Sequence, residues 1–347
     1  MMTPADAWHV RLAQPSIKLP PTVVEGAKIQ VRMNHDTILM GILDERDLSG
    51  EKGKHELLLT GRDGAGLLLD CSSPVLSMRQ ITLDQVITSI LAPLKFPASR
   101  IRIDAETKLL REKVNIEPGD SAWDSLRRAA EANGLWPWFE PDGTLVVGGP
   151  RYDMPPIATL VMREDGKGNN VLRLSEKRSM VERYSQVTVY GQSHANGIGA
   201  SERDGRNNIK GVEKDTGVQA YRPKVVVDHE AINESIARAR GRKIISDSRI
   251  KSYTITATVR GHRTDDGVLW SPGQRVAVKS ELHNVDGVYF LMGRRFTGDK
   301  HQGQRTILTL KEDGVWLLDA HPSKRKHRRG KNSLPGQIVD LPLGASQ

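Results

Sequence analysis

Tyr253-Thr254-Ile255-Thr256-Ala257-Thr258-Val259-Arg260 alternates apolar side chains with threonine over its whole length. A period of two over eight residues marks a half-buried β-strand, and Thr, Ile, Val and Tyr suit the pleated surface. Working outward, three further strands are expected near 275–280, 287–296 and 305–311. Upstream, Asp228 is the expected cap of a helix running to about Asp247, with Ile232, Ile236, Ala239 and Ile244 inward and many Arg and Lys outward. Val225-Val226-Val227 reads as a short buried run and Ser185 to Tyr190 as another strand. Residues 192–220, rich in Gly, Asn, Ser and charge, read as a long excursion.

The first 70 residues also read as β-structure. Lys28 to Met33 alternates, Asn34-His35-Asp36 is a turn, and Thr37 to Leu43 returns as the second arm of a hairpin. A strand at His55 to Thr60 follows. Gly61, Gly64 and Gly66 then break the pattern ahead of Leu67-Leu68-Leu69-Asp70-Cys71. The next block changes character. Thr82 and Gln85 form a capping-box pair, and Leu83, Val86, Ile87, Ile90 and Leu91 repeat at helical spacing until Pro93. Ile101-Arg102-Ile103 is a short strand. A second helix is expected from an Asp120 N-cap, burying Ala122, Trp123, Leu126, Ala129 and Ala130 and ending at Gly134. Leu135 to Phe139 and Leu145 to Val147 flank the turn Pro141-Asp142-Gly143, and Pro137 places the first of these strands at an edge. Seven Asp-Gly pairs, at 63, 142, 165, 204, 266, 286 and 313, fit a chain built from hairpins. The fold class expected is α+β, mainly β, with two β domains and an inserted small α/β module. The boundaries are 1–72 for the first β domain, 73–150 for the module, 151–320 for the second β domain and 321–347 for a basic flexible tail.

The chain has 347 residues, enough for two or three domains. Its single cysteine, Cys71, excludes a disulfide framework and a Cys-rich zinc site. No run of about 18 apolar residues is present, and the N-terminus lacks the basic-then-apolar pattern of a secretory signal. A soluble protein made in the cytoplasm, with no membrane insertion, is expected. Lys324, Arg325, Lys326, Arg328, Arg329 and Lys331 account for six of the nine net positive charges, leaving +3 for the remainder. Such a block is a solvated tail first, and a non-specific contact for DNA or another polyanion second.

The sequence carries no complete catalytic constellation. Gly191-Gln192-Ser193-His194-Ala195 lacks the last glycine of a nucleophile elbow and the helix that should follow. There is no His-Glu-x-x-His pair; His35, His55, His194, His229, His262, His283, His301, His321 and His327 are scattered, the last two in a basic tail that disfavours a divalent cation. Asp165-Gly166-Lys167-Gly168-Asn169-Asn170 carries Lys where a calcium ligand belongs and reads as a turn. Gly61 to Gly66 is followed by leucines and cannot be a P-loop. Asp265-Asp266 is explained by a turn at Gly267. Trp136 and Trp138 pack under the neighbouring helix more readily than they stack a ligand. No cofactor, metal or catalytic residue is assigned, and a structural or interaction protein is expected rather than an enzyme.

Several segments together resemble one family. Gly61-Arg62-Asp63-Gly64 through Leu68-Leu69-Asp70-Cys71-Ser72 is similar to the "GRD…LxDC" signature of the Mu-type phage baseplate hub, also called the late control gene D or phage 43-kDa tail protein family. Thr82 to Gln85 with Ala92-Pro93, Gly119-Asp120-Ser121 with its helix, and Asp142 to Val146 resemble the family's following segments. So do Tyr221-Arg222-Pro223 with Val225 to Asp228, Asp266-Gly267-Val268-Leu269-Trp270-Ser271-Pro272, and Leu308-Thr309-Leu310. The resemblance runs in order from about residue 5 to 320. It implies two tail-tube-like β-barrel domains per chain and a homotrimer whose pseudo-sixfold ring joins the sixfold tail tube to the threefold spike of a contractile tail or phage-derived bacteriocin. The partners implied are spike, tube, tape-measure and baseplate wedge proteins, in a virion baseplate assembled in the host cytoplasm. Family members carry two strands ahead of the region that begins here near Trp8, so the first barrel is expected to lack its first strand. The competing expectation is a tail-tip cell-wall (murein) hydrolase, which needs paired carboxylates or a metal.

Overall fold

The computed structural model describes residues 5–13, 19–52, 54–78, 81–104, 114–116, 119–131, 135–191, 209–228, 231 and 233–315. The six cations of the basic segment, the Ser193-His194 pair, His229, Ile232 and Gly134 lie outside the described residues.

The first sheet holds β1 (Ala7–Ala13), β2 (Lys28–Met33), β3 (Asp36–Glu51) and β4 (Lys54–Asp63) in the order β1-β4-β3-β2, all antiparallel. The hairpin β2–β3 turns at Asn34, as expected, with a positive φ of 55°. β3 is far longer than the sequence suggested. Its second half is almost wholly polar and pairs with β4 only, as an arm beyond the reach of β2.

The glycine-rich stretch after Gly61 is not a break. β4 continues through Gly61 to Asp63, and α1 (Gly64–Asp70) starts at once. Asp63 is the reason: its Oδ1 accepts the Ala65 N–H at 2.9 Å and caps the helix, so two glycines with poor helix propensity are carried by one good N-cap.

Beyond α1, β5 (Leu76–Met78) pairs with β7 (Val114–Ile116), and β6 (Ile101–Ile103), β8 (Trp136–Phe139) and β9 (Leu145–Gly148) form a small sheet in the order β6-β9-β8. Pro137 therefore sits on an edge strand, as its missing N–H requires. α2 (Leu83–Leu91) buries the five residues read from its spacing, and the Thr82 N–H donates to Gln85 Oε1 at 3.1 Å. α3 (Ala122–Glu131) is capped by Ser121, not by Asp120: the Asp124 N–H donates to Ser121 Oγ at 3.0 Å. The core of this module is built from α1, α2, α3 and β9, centred on Leu68, Ile87, Trp123 and Leu145.

The second large sheet contains β10 (Thr159–Met162), β11 (Val171–Arg178), β15 (Tyr253–Arg260), β16 (Arg275–Ser280), β17 (Val285–Asp299) and β18 (Gly303–Glu312) in the order β10-β16-β17-β18-β15-β11. The Tyr253–Arg260 strand lies between β18 and β11, with Ile255, Ala257 and Val259 buried. The two end strands, β10 and β11, are joined by the turn at 163–170 and form no ladder with each other. There Asn170 replaces a ladder partner: its Oδ1 accepts the Val161 N–H at 2.8 Å and its Nδ2 donates to the Thr159 carbonyl at 2.8 Å. Asn169 does the same at Arg163, so the 165–170 loop is a strand-edge clamp.

Between β11 and β15 the chain makes a separate layer: β12 (Gln186–Gly191), β13 (Ile209–Lys214) and β14 (Pro223–Asp228) in the order β13-β12-β14, covered on one face by α4 (Glu234–Ser252). Two expectations are corrected here. α4 is capped by Asn233, whose Oδ1 accepts the Ile236 N–H at 2.9 Å, while Asp228 ends β14. Its buried residues are mostly small, Ala237, Ala239, Gly241 and Ser246 among them, because the helix packs on the three-stranded sheet at one end and beside Phe290 and Met292 at the other. Of the inward set read from the sequence, Ala239 is buried and Ile236 and Ile244 pack against the core under the three-stranded sheet. Residues 192–220 are not one excursion either, since β13 lies inside them. The architecture is thus mostly β, with two half-barrel sheets and four α-helices among the described residues.

Candidate assembly surfaces and their anchors

The Gly61–Cys71 segment is where the first sheet meets the helical module, and each of its marked residues has a mechanical role. A methyl carbon at Gly61 would lie 2.0 Å from the Ile42 carbonyl oxygen and 2.7 Å from Trp8 Nε1, so only glycine lets Trp8 cross β4 there. Arg62 reaches both ways: Nε donates to Asp44 Oδ2 at 2.7 Å, and Nη2 donates to Asp70 Oδ2 at 2.6 Å. It ties β3 to the end of α1. Asp63 caps α1 and is nearly buried. Burial, together with the negative charge of Asp6, pushes its pKa up to about 7. The segment is a joint between units.

The two half-barrel sheets also touch directly. Arg263, in the loop after β15, donates to Asp36 at the start of β3, with Nη2 2.6 Å from Oδ1 and Nε 3.0 Å from Oδ2. Beside this tie, a cavity of about 490 Å³ lies between the first sheet, the helical module and the second sheet. Trp136, Trp138, Asp63, Glu140, Arg275 and Arg294 are among its walls. Arg275 clamps Asp313 (Nη2 to Oδ2, 2.6 Å). Arg294 donates to Ser271 Oγ at 2.9 Å and to the Trp270 carbonyl, and burial lowers its pKa. Glu140 accepts from Trp138 Nε1 and Arg102 Nη2, both at 3.2 Å. The tryptophans thus line a junction, and Trp136 also packs against the cluster of Ile250, Phe290 and Met292.

Lys311 anchors the other end of α4. Its Nζ donates to the Ile250 carbonyl (2.7 Å), the Tyr253 carbonyl (3.1 Å) and Thr254 Oγ1 (2.6 Å), and burial lowers its pKa. A cation at the helix C-terminus satisfies carbonyls the helix leaves open and holds α4 to the second sheet.

Among the described residues no group of three or more His, Cys, Asp or Glu side chains could hold a metal ion. Asp265 and Asp266 form a turn with Gly267 at φ 80°. Ser280 Oγ lies 2.8 Å from His283 Nδ1, but both close the β16–β17 turn and the hydroxyl is buried. The basic outer face of α4 is neutralised: Arg238 pairs with Glu234, Arg242 with Glu213, Lys243 with Asp247, Arg249 with Glu312 and Lys251 with Glu182. It offers little free charge to a polyanion.

What remains open are apolar surfaces. The Val225–Val227 run is not buried as the sequence suggested: Val225 and Val227 are 62% and 64% exposed, and only Val226 turns toward the α4 side. An unbroken β-branched run reads as a doubly covered strand, yet β14 is an edge strand with one face uncovered. Val10, Leu12 and Leu48 are exposed on the arm of the first sheet. Composition could not have separated these residues from core.

Comparison with known proteins places these features. Residues 1–63 match the Mu phage baseplate assembly protein GpP-like N-terminal family, and 65–149 the baseplate hub protein gp44-like second domain. Residues 183–245 match the tail protein NMB1110-like third domain, and 247–315 the tail protein C-terminal domain. The chain is 24% identical over 316 residues to the baseplate hub protein gp44 of Escherichia phage Mu, covering 90% of this chain and 81% of that protein. The crystal structure of the tail protein from Neisseria meningitidis MC58 is 36% identical, with a TM-score of 0.78 and 92% of each chain covered. The 43 kDa tail protein of prophage MuSo2 from Shewanella oneidensis is 20% identical, with a TM-score of 0.78 over 90% of this chain and 92% of that one.

Proposed function

The chain belongs to the Mu-type phage tail and baseplate hub family, and from that premise we propose that three copies close into a ring that joins a sixfold tail tube to a threefold spike. The observation that carries the reading is the pair of half-barrel sheets held side by side in one chain by the Asp36–Arg263 tie. Two such sheets per chain and three chains supply six curved units around one axis. A ring stacks on another only if its contact surfaces repeat at compatible angles, so six units can face a sixfold tube while three chains face a threefold spike. In this reading each half-barrel completes a tail-tube-like barrel, and the module built around α2 and α3 decorates the outside.

The role is assembly, with no reaction. The spike, tube, tape-measure and wedge proteins are the partners, and the site of action is the baseplate of a virion or bacteriocin particle. No observation favours a murein hydrolase: of the three carboxylates that line the junction cavity, Asp63 caps α1, Glu140 accepts from Trp138 and Arg102, and Asp6 lies beside Asp63 and helps to raise its pKa. Light scattering on the purified chain, alone and mixed with the spike protein, tests the proposal. A mass of three chains, free or spike-bound, is expected; a monomer that ignores the spike overturns it.

A further inference from the structure

We infer that the outer edge of β14 is a docking strand for a second copy of this chain, and that the edge it meets is β1 of that copy. The inference rests on the proposed ring and names the surfaces that would close it.

β14 pairs with β12 on one side and has no partner strand on the other among the described residues. Its uncovered face is apolar only at that margin. Across the sheet the outward row runs Lys210 on β13, Tyr190 on β12 and Val227 on β14, with Val225 two residues before it. Lys210 lies over the Tyr190 ring at 5.9 Å, so the β13 side is polar and finished. On the β14 side stand Val225, Val227 and, just before the strand, Tyr221 at 77% exposure. Proteins blunt free edges with charge, proline or short length, because unpaired N–H and C=O groups recruit other chains. β14 has Pro223 and Lys224 at its start and then three valines with nothing to discourage pairing. An open edge flanked by exposed valines is what an added strand covers: the backbone supplies hydrogen bonds and the alternate side chains supply burial.

The occupant follows from symmetry. A closed ring needs two unlike surfaces on each chain, one mating with the other on the next copy. The chain has a second edge of matching character. β1 pairs with β4 alone, and its far side is unpartnered among the described residues. Leu12, Leu57 and Leu48 stand in one register row across β1, β4 and β3, and Val10 shares the face; Leu48 is 63% exposed. Val10 and Leu12 lie two apart on β1, and Val225 and Val227 two apart on β14, so edge pairing would join the four in one apolar strip. The two edges lie on different sheets of the chain, as a head-to-tail contact requires.

The test uses the full chain, with the spike present if wild type needs it to associate. One variant carries Val225→Glu and Val227→Glu, the other Val10→Glu and Leu12→Glu. Circular dichroism and melting should match wild type for the β14 variant, whose side chains are mostly exposed; Val225→Thr with Val227→Thr, and Val10→Thr with Leu12→Thr on the more covered β1 edge, serve as milder second variants. Each Glu variant alone is expected to fall from three chains to one. Mixed, they should stop at two, because one intact β14 edge meets one intact β1 edge. A Val227→Cys, Val10→Cys chain in a Cys71→Ser background should cross-link between copies on oxidation. A folded Val225→Glu, Val227→Glu variant that still reaches three chains overturns the inference and leaves the hub reading standing. A wild type that never reaches three chains, with or without spike, overturns the hub reading first.

Discussion

Asp63 makes the clearest residue-level expectation, because one carboxyl serves two ends. As an N-cap it holds α1 in place, and as a buried acid beside Asp6 it resists ionisation. Its folded pKa is pushed up to about 7, above the unfolded value of about 3.9. A group with a raised folded pKa binds more protons when folded. Its stabilising effect is therefore complete below about pH 4 and is lost as the pH rises through about 7. At about 1.4 kcal/mol per pH unit the full swing is at most on the order of 4 kcal/mol. Asparagine caps a helix as well as aspartate does and does not ionise. Asp63→Asn should therefore fold, and its unfolding midpoint in denaturant should stay level from pH 4 to 7 where wild type declines. A variant that declines in parallel with wild type would remove Asp63 as the cause. Neighbouring Arg62 shows why a motif can look like chemistry and be mechanics: its guanidinium bridges Asp44 and Asp70.

At the scale of elements, the α4 layer depends on close approach. A methyl carbon at Gly211 would lie 2.4 Å from the Ala237 carbonyl carbon and from the Arg238 nitrogen, both rigid helix backbone. Gly211→Ala should push β13 off α4 and cost about 1–3 kcal/mol, read as a lowered melting temperature with the first sheet unaffected. An unchanged melt would mean the helix can slide. The same elements show how much was legible beforehand. The five buried residues of α2 and the Tyr253–Arg260 strand could be read because each has one covered face and a regular period. In α4 the inward Ile236, Ala239 and Ile244 were legible in the same way, but the Asn233 cap and the small residues buried against the second sheet were not. α1 was hidden because its glycines spoke against helix, and the cap that outweighs them looked like part of a turn. The exposed valines of β14 were misread because sequence states how apolar a strand is, not whether anything lies over it. The junction cavity was invisible for a related reason: Asp63, Glu140 and Arg294 are far apart in the chain and meet only when three units pack.

For the whole molecule, the family assignment and the mostly β architecture agree with the resemblance read from scattered segments, and the arrangement of copies is the step beyond. The chain holds two half-barrel sheets tied at Asp36–Arg263, and the account needs three such chains around one axis. The direct measurement is the rotational symmetry of the end-on view in electron micrographs of the purified chain assembled with its tube protein. The expected image is a ring of six lobes in which alternate lobes differ, so that averaging holds under threefold but not sixfold rotation. Six equivalent lobes contributed by six chains, or chains bound singly to the tube without a ring, would contradict it.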